Sequence, residues 1–269
     1  MLPRSLRESP TSYTADWYRL REEGSRRSAE RILPLVLAHF PAASALDVGC
    51  GQGTWLAVLQ RLGVEDVLGV DGDYVDRALL QIPADRYVPL DLRGRFDLGR
   101  TFDLVISLEV AEHLPPKAAD AFVASLVSHA PIILFSAAIP GQTGTGHVNE
   151  QWPDYWAERF KRHGYLAVDA LRRDIWSDTD VEFWYAQNTI LYMRNSAGSA
   201  VPPALRSDVV EDLAALAIVH PRQFEWSLWW VRHHERPKRI SLLLEAAIGH
   251  AATGRLRAFL RRKRRDRRD

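Results

Sequence analysis

Ala45-Leu46-Asp47-Val48-Gly49-Cys50-Gly51-Gln52-Gly53-Thr54-Trp55 is the stretch that decides how this chain folds. Ala45–Val48 reads as a buried strand, a short apolar run bounded by turn residues. The three glycines that follow let the backbone turn sharply and approach a ligand with no Cβ in the way. Leu56, Val58, Leu59 and Leu62 then recur at helical spacing, and Gly63 is placed to cap that helix. Strand, tight turn and helix follow one another within 20 residues.

Working outward, the pattern recurs. Val67–Val70 is a second strand, Tyr87–Leu90 a third, Asp103–Ser107 a fourth and Ile132–Phe135 a fifth. Further strands are predicted at Tyr165–Ala170 and Thr189–Met193, with the aromatic patch Phe183-Trp184-Tyr185 between them. Strands alternating with helices predict an α/β, Rossmann-like sheet, mostly parallel and covered by helices on both faces. In such sheets ligands sit at the carboxyl ends of the strands. Before the sheet, Ile32, Leu35, Val36 and Phe40 mark a helix from about Ser12 to Phe40, after a polar leader. Beyond it, Asn195–Pro203 reads as a linker, and Leu213–Val219, Gln223–His233 and Ile240–Ala252 read as helices. The expected division is a leader and lid helix over 1–40, a core over 41–195, and a C-terminal helical extension with a basic tail over 196–269.

The chain has 269 residues, 46% of them hydrophobic and 26% charged, which is ordinary for a globular protein with a sizeable core. One cysteine, Cys50, excludes an internal disulfide framework and suits a reducing compartment. No secretory h-region opens the chain, and no apolar run reaches the length of about 18 residues that a membrane span needs. A cytoplasmic protein is expected. The net charge of +1 hides an asymmetry, because nine basic and two acidic residues from Arg255 to Asp269 carry +7 and leave −6 for the rest.

The run ALDVGCGQGTW resembles motif I of class I S-adenosylmethionine-dependent methyltransferases. No glycine stands three residues after Gly53, so the loop departs from a dinucleotide fingerprint. That suits a cofactor without a pyrophosphate. The resemblance covers about residues 12–195 and implies that Asp47, Gly49, Gly51 and Gly53 shape the site of S-adenosylmethionine. Asp71 ends the second strand, 18 positions after Gly53, where a carboxylate can accept hydrogen bonds from both ribose hydroxyls. Asp91 has the position from which this family meets the adenine amino group, and Leu92 would touch the base. Cys50 reads as a small structural residue, since no base is predicted beside it.

Phe102–Leu114 looks like the same family's motif after the fourth strand. It places Glu109, Glu112 and His113 at i, i+3 and i+4, one face of a helical turn. Two readings compete. In one, Glu109 lines the cofactor pocket while Glu112 and His113 hold the loop. In the other, Glu109, Glu112, His113 and the later His147 bind a divalent metal such as magnesium. That set is similar to the magnesium-binding residues of small-RNA terminal methyltransferases, and ubiquinone-biosynthesis O-methyltransferases have a related arrangement.

His147 lies in the loop Thr143–Trp152, at the carboxyl end of the fifth strand, and is the preferred general base; His113 is the alternative. Tyr13, Trp17 and Tyr18, with Trp184 and Tyr185, are expected either to form an aromatic lid or to pack as core. Trp226, Trp229 and Trp230 are too many for one face of a solvated helix, so they are expected to pack on the core or on a second subunit.

The resemblance implies O-methyl transfer to a small molecule or sugar. A second reading is metal-assisted 2′-O-methylation of an RNA terminus, although only the tail is basic enough to attract phosphate. A third is a cofactor-binding partner subunit without catalysis. The basic helix after Ile240 suits the inner face of a membrane, nucleic acid, or simply solvent. Nucleic acid is the less expected partner, and a homodimer is open.

Overall fold

A computed structural model describes residues 15–195 and 201–230. The chain divides into two compact units, 1–220 and 221–269. The leader, Tyr13 and the helix expected at Ile240–Ala252 with its basic tail lie outside the described residues.

The first unit is built on seven strands: β1 (Ser44–Val48), β2 (Asp66–Asp71), β3 (Tyr87–Pro89), β4 (Leu104–Leu108), β5 (Ile132–Ser136), β6 (Tyr165–Val168) and β7 (Ile190–Arg194). They form one sheet in the order β3-β2-β1-β4-β5-β7-β6. The first five pair in parallel, and β7 runs antiparallel to both β5 and β6. This is the Rossmann-like sheet expected from the alternation of strands and helices. Ala45, Leu46 and Val48 of β1 are fully buried because both faces of a parallel sheet are covered.

One face carries α1 (Ala15–His39), α2 (Thr54–Arg61) and α6 (Phe183–Asn188). Ala29, Ile32, Leu33 and Val36 recur along one stripe of α1 and are fully buried, so this helix belongs to the core layer. The opposite face carries α3 (Ala119–His129) and α4 (Pro153–Arg162), whose Phe122, Leu126, Trp156 and Phe160 fill a second apolar layer. Pro153 opens α4 at a position where its missing N–H costs nothing. A short helix, α5 (Arg172–Ile175), follows β6.

The aromatic patch Phe183–Tyr185 is the first turn of α6, and Tyr185 packs inward. Its ring meets Trp55 edge-on at 5.2 Å and its hydroxyl lies 3.1 Å from Ser25 Oγ. Of the two readings of these aromatics, Tyr185 follows core packing. Trp17 and Tyr18 fall within the first turns of α1.

Residues 201–220 belong to the first unit. Val209 bridges Val168, Val210 N donates to Ala167 O, and Leu205 and Leu216 are buried. The helix expected over Leu213–Val219 is a single 3-10 turn, Leu213–Leu216. The second unit contains α7 (Pro221–Trp230), where the rings of Trp226 and Trp229 stack on each other at 5.2 Å. Among the described residues no helix is long and apolar enough to cross a membrane.

The chain runs outward from β1 to β3 and then returns to lay β4 on the other side of β1. Strand order reverses there, and a crevice opens at the carboxyl ends of β1 and β4.

Candidate active site

A cleft of about 1000 Å³ occupies this crevice, lined among others by Gly49, Asp71, Asp91, Leu92, Glu109 and His113. Its floor is the turn after β1. Gly49, Gly51 and Gly53 have φ of +86°, +53° and +80°, a region that residues with a Cβ adopt only under strain. At Gly49 space matters as well, since a Cβ would lie 2.3 Å from Val110 Cγ2. Gly51 and Gly53 shape the turn without lining the cleft. Asp47 is 3% exposed within β1 and also stays out of it. Burial, and after it the charge of Asp71, hold the Asp47 carboxyl well above the usual carboxylate range.

Asp71 stands at the end of β2 across from this turn. Its Oδ2 accepts from Gly51 N at 2.7 Å, while Oδ1 accepts from Gly72 N at 2.6 Å and from the Tyr74 hydroxyl at 2.5 Å. The same carboxylate thus braces the glycine turn and faces the cleft. Tyr74, also on the cleft wall, is 81% exposed. Asp91 holds Arg93 through both oxygens, and those hydrogen bonds pull its carboxyl down to about 2. Cys50 is buried against Gly69, and burial pushes its thiol up, away from the thiolate a nucleophile would need.

Glu109 departs from the shared helical face expected for it. It follows β4 directly with φ +55°, whereas Glu112 and His113 lie on the 3-10 turn Ala111–His113. The left-handed backbone carries its carboxylate toward two buried side-chain amides. Gln142 Nε2 donates to one oxygen at 2.8 Å and Asn188 Nδ2 to the other at 3.0 Å. Gln187 Nε2 donates to Gln142 Oε1 and Asn188 Oδ1, closing a set of three amides. Desolvation raises the Glu109 carboxyl, and the hydrogen bonds from Asn188, Ser136 and Gln142 pull against that rise.

The other three members of the expected set come together around the 3-10 turn Ala111–His113. One ligand atom each from Glu112, His113 and His147 lies within 4.8 Å of the others. His113 and His147 meet edge-on at 4.9 Å, and His147 Nε2 is 4.0 Å from Glu112 Oε1. Glu112 is fully buried, and among the described residues no hydrogen bond of good geometry reaches either of its oxygens. Burial and then the nearby Glu109 raise its carboxyl well above the usual range, against a weaker pull from the backbone N–H groups of Glu112 and Ala138. A buried carboxylate with so little hydrogen bonding is costly unless a proton or cation joins it.

Sequence reasoning missed Gln142, Gln187, Asn188 and Tyr74. Lone amides carry no spacing signal, and nothing local distinguishes Tyr74 from a surface tyrosine.

A family described as a methyltransferase domain matches residues 20–177, more than half of the chain. A ubiquinone biosynthesis O-methyltransferase of Methylobacterium nodulans is 36% identical over 94 residues, 33% of this chain and 35% of that protein. The corresponding enzyme of Mesorhizobium japonicum is 33% identical over 87 residues, 30% of this chain and 34% of that protein. The chain thus spans about a third of the length of the curated relatives it matches. A sugar N-methyltransferase from Streptoalloteichus sp. shares the fold, with a TM-score of 0.53 and 18% identity over 70% of this chain and 98% of that one.

Proposed function

Because the chain belongs to the methyltransferase-domain family, we propose that it methylates a hydroxyl of a small molecule or sugar with S-adenosylmethionine. One juxtaposition carries the reading: a glycine turn braced by Asp71 at the cleft, and a cluster of Glu112, His113 and His147 whose His113 lines the same cleft.

The residues of the first half fit the cofactor. Gly49 and Val110 both line the cleft, and a Cβ at Gly49 would collide with Val110, so only glycine keeps this wall as it is. Asp71 would accept the ribose hydroxyls, and Asp91 with Leu92 would meet the adenine. When bound, the cofactor supplies an electrophilic methyl group on a sulfonium. The chain's own task is to align the acceptor oxygen with it and to exclude water, a contribution on the order of 7–11 kcal/mol for good alignment. His147 would take the hydroxyl proton at Nε2 as the oxygen–methyl bond forms.

The deeply buried, poorly hydrogen-bonded carboxylate of Glu112 favours a further element. Glu112, His113 and His147 would hold a divalent cation such as magnesium, with Glu109 kept out by its two amides. When bound, the cation would lower the pKa of the acceptor hydroxyl. A single carboxylate with two imidazoles also suits manganese or cobalt.

The single cysteine supports a reducing, cytoplasmic setting. Calorimetry with S-adenosylhomocysteine, followed by labelled methyl transfer to catechols and sugars, tests the reading. No uptake of S-adenosylhomocysteine would overturn it. Transfer that a chelator leaves untouched would remove the cation and leave His147 as base.

A further inference from the structure

The loop between β5 and α4 closes on one carboxylate. Glu150 Oε2 accepts from Gly141 N at 2.8 Å, and Oε1 accepts from Thr143 N at 2.9 Å and from His147 Nδ1 at 2.9 Å. Three donors within the ten-residue stretch from Gly141 to Glu150 therefore converge on Glu150. Thr143 takes φ +60° to reach it, a conformation that a β-branched residue adopts only when its surroundings enforce it.

His147 is fixed from its other edge too. A Cβ on Gly144 would stand 2.2 Å from His147 Nε2 and 2.4 Å from Cε1, so the ring lies flat where only glycine leaves space. His113 meets the ring edge-on. The His147 side chain is 11% exposed and Glu150's 20%, so water competes little for their bond.

A carboxylate can only accept, and the imidazole nitrogen facing it must carry the proton. The other nitrogen of the neutral ring then holds a lone pair. That nitrogen, Nε2, is the one 4.0 Å from Glu112.

We infer that Glu150 is a positioning residue of the acceptor site. It holds His147 in the Nδ1–H tautomer and presents the Nε2 lone pair to Glu112 and His113. This rests on the function proposed above, and it serves both versions of it, since a base and a cation ligand use the same lone pair. An outer carboxylate that orients a ligating or basic histidine through its second nitrogen is a general device. Glu150 adds to it by tying the histidine to the loop that carries it.

The test is the tautomer itself, read from ¹⁵N spectra of the full-length chain labelled at histidine, at a pH where imidazoles are neutral. His147→Gln identifies the signals. The expected result is Nδ1–H in the wild type and a shift toward Nε2–H, the form free imidazole prefers, in Glu150→Ala. Glu150→Gln keeps an oxygen for Nδ1–H, stays closer to the native loop, and should retain the wild-type tautomer. S-adenosylhomocysteine uptake, measured alongside, should not change in either variant, because Glu150 lies outside the cofactor half. Nε2–H in the wild type, or a tautomer indifferent to Glu150→Ala, would overturn the inference. Failure of the wild type to take up S-adenosylhomocysteine would instead sink the methyltransferase reading, with the spectra still deciding on Glu150.

Discussion

The Tyr74 hydroxyl lies 2.5 Å from Asp71 Oδ1, and both residues line the cleft. With Gly51 N and Gly72 N on the same carboxylate, the ribose hydroxyl of the proposed cofactor would have to displace the phenol. A hydrogen bond exchanged in this way is worth about 1 kcal/mol net, so Tyr74→Phe should tighten S-adenosylhomocysteine roughly fivefold. Asp71→Ala removes the acceptor altogether and should weaken it by roughly a hundredfold or more. Calorimetry on the two variants checks both signs. A Tyr74→Phe variant that bound more weakly would show the phenol helping the ligand instead of competing with it.

Glu109 depends on accepting at both oxygens, from Gln142 and from Asn188. Glu109→Gln keeps the shape and replaces one acceptor with a donor, so one amide is left facing an N–H. The cost of such a buried mismatch is about 1–3 kcal/mol, to be seen as a lower urea midpoint with an unchanged m-value. Glu109→Gly relieves the φ of +55° but takes the acceptor from both amides, so it should cost more than Glu109→Gln. If Glu109→Gln were as stable as the wild type, the amides would not be what holds this residue.

The parts legible in the sequence are those where geometry forces a pattern. Strands buried on both faces must be continuous apolar runs, so β1, β2, β4 and β5 stood out. A turn with three positive φ values has to be glycine-rich, which made Gly49–Gly53 visible. Glu112, His113 and His147 were legible because residues near the ends of β4 and β5 share one sheet edge. Glu109 was misplaced on a helical face, since nothing in its neighbours announces a left-handed residue. The amides of Gln142, Gln187 and Asn188 act through contacts 33 to 79 residues apart in the chain, which no local spacing records. Residues 201–220 were hidden for a related reason, because a segment that adds backbone hydrogen bonds at a sheet edge needs no periodicity.

Asp47 should make stability depend on pH. Its carboxyl is held well above the usual range, by burial first and by Asp71 second. A folded-state value above the unfolded one means that the protonated form is favoured on folding. The stabilisation is complete below the ordinary carboxylate value of about 4 and drains away as pH rises toward the folded value. Asp47→Asn keeps the shape and cannot ionise, so it should flatten that slope, with its advantage over the wild type growing as pH rises. Urea midpoints at a series of pH values would show it. Parallel curves for the two proteins would mean that Asp47 is not the group responsible.

Arg172 ties three segments together from a position 2% exposed. Nε and one terminal nitrogen hold Asp169 at 2.8 and 2.6 Å, while the other donates to Gln187 O at 3.1 Å and Leu216 O at 2.8 Å. Removing it strands two buried carbonyls and a carboxylate together, a loss of about 3–5 kcal/mol for Arg172→Ala. Asp169 is 27% exposed at its side chain, so water can replace part of what Asp169→Asn loses, and that variant should cost less. Arg172 also holds the backbone of Gln187, whose side chain organises the amides beneath Glu109. Arg172→Ala should therefore loosen Glu109 as well, so that adding Glu109→Gln to it costs less than in the wild type. Additive losses in that double-mutant cycle would show that the arginine supports the 201–220 segment alone and leaves the cleft untouched.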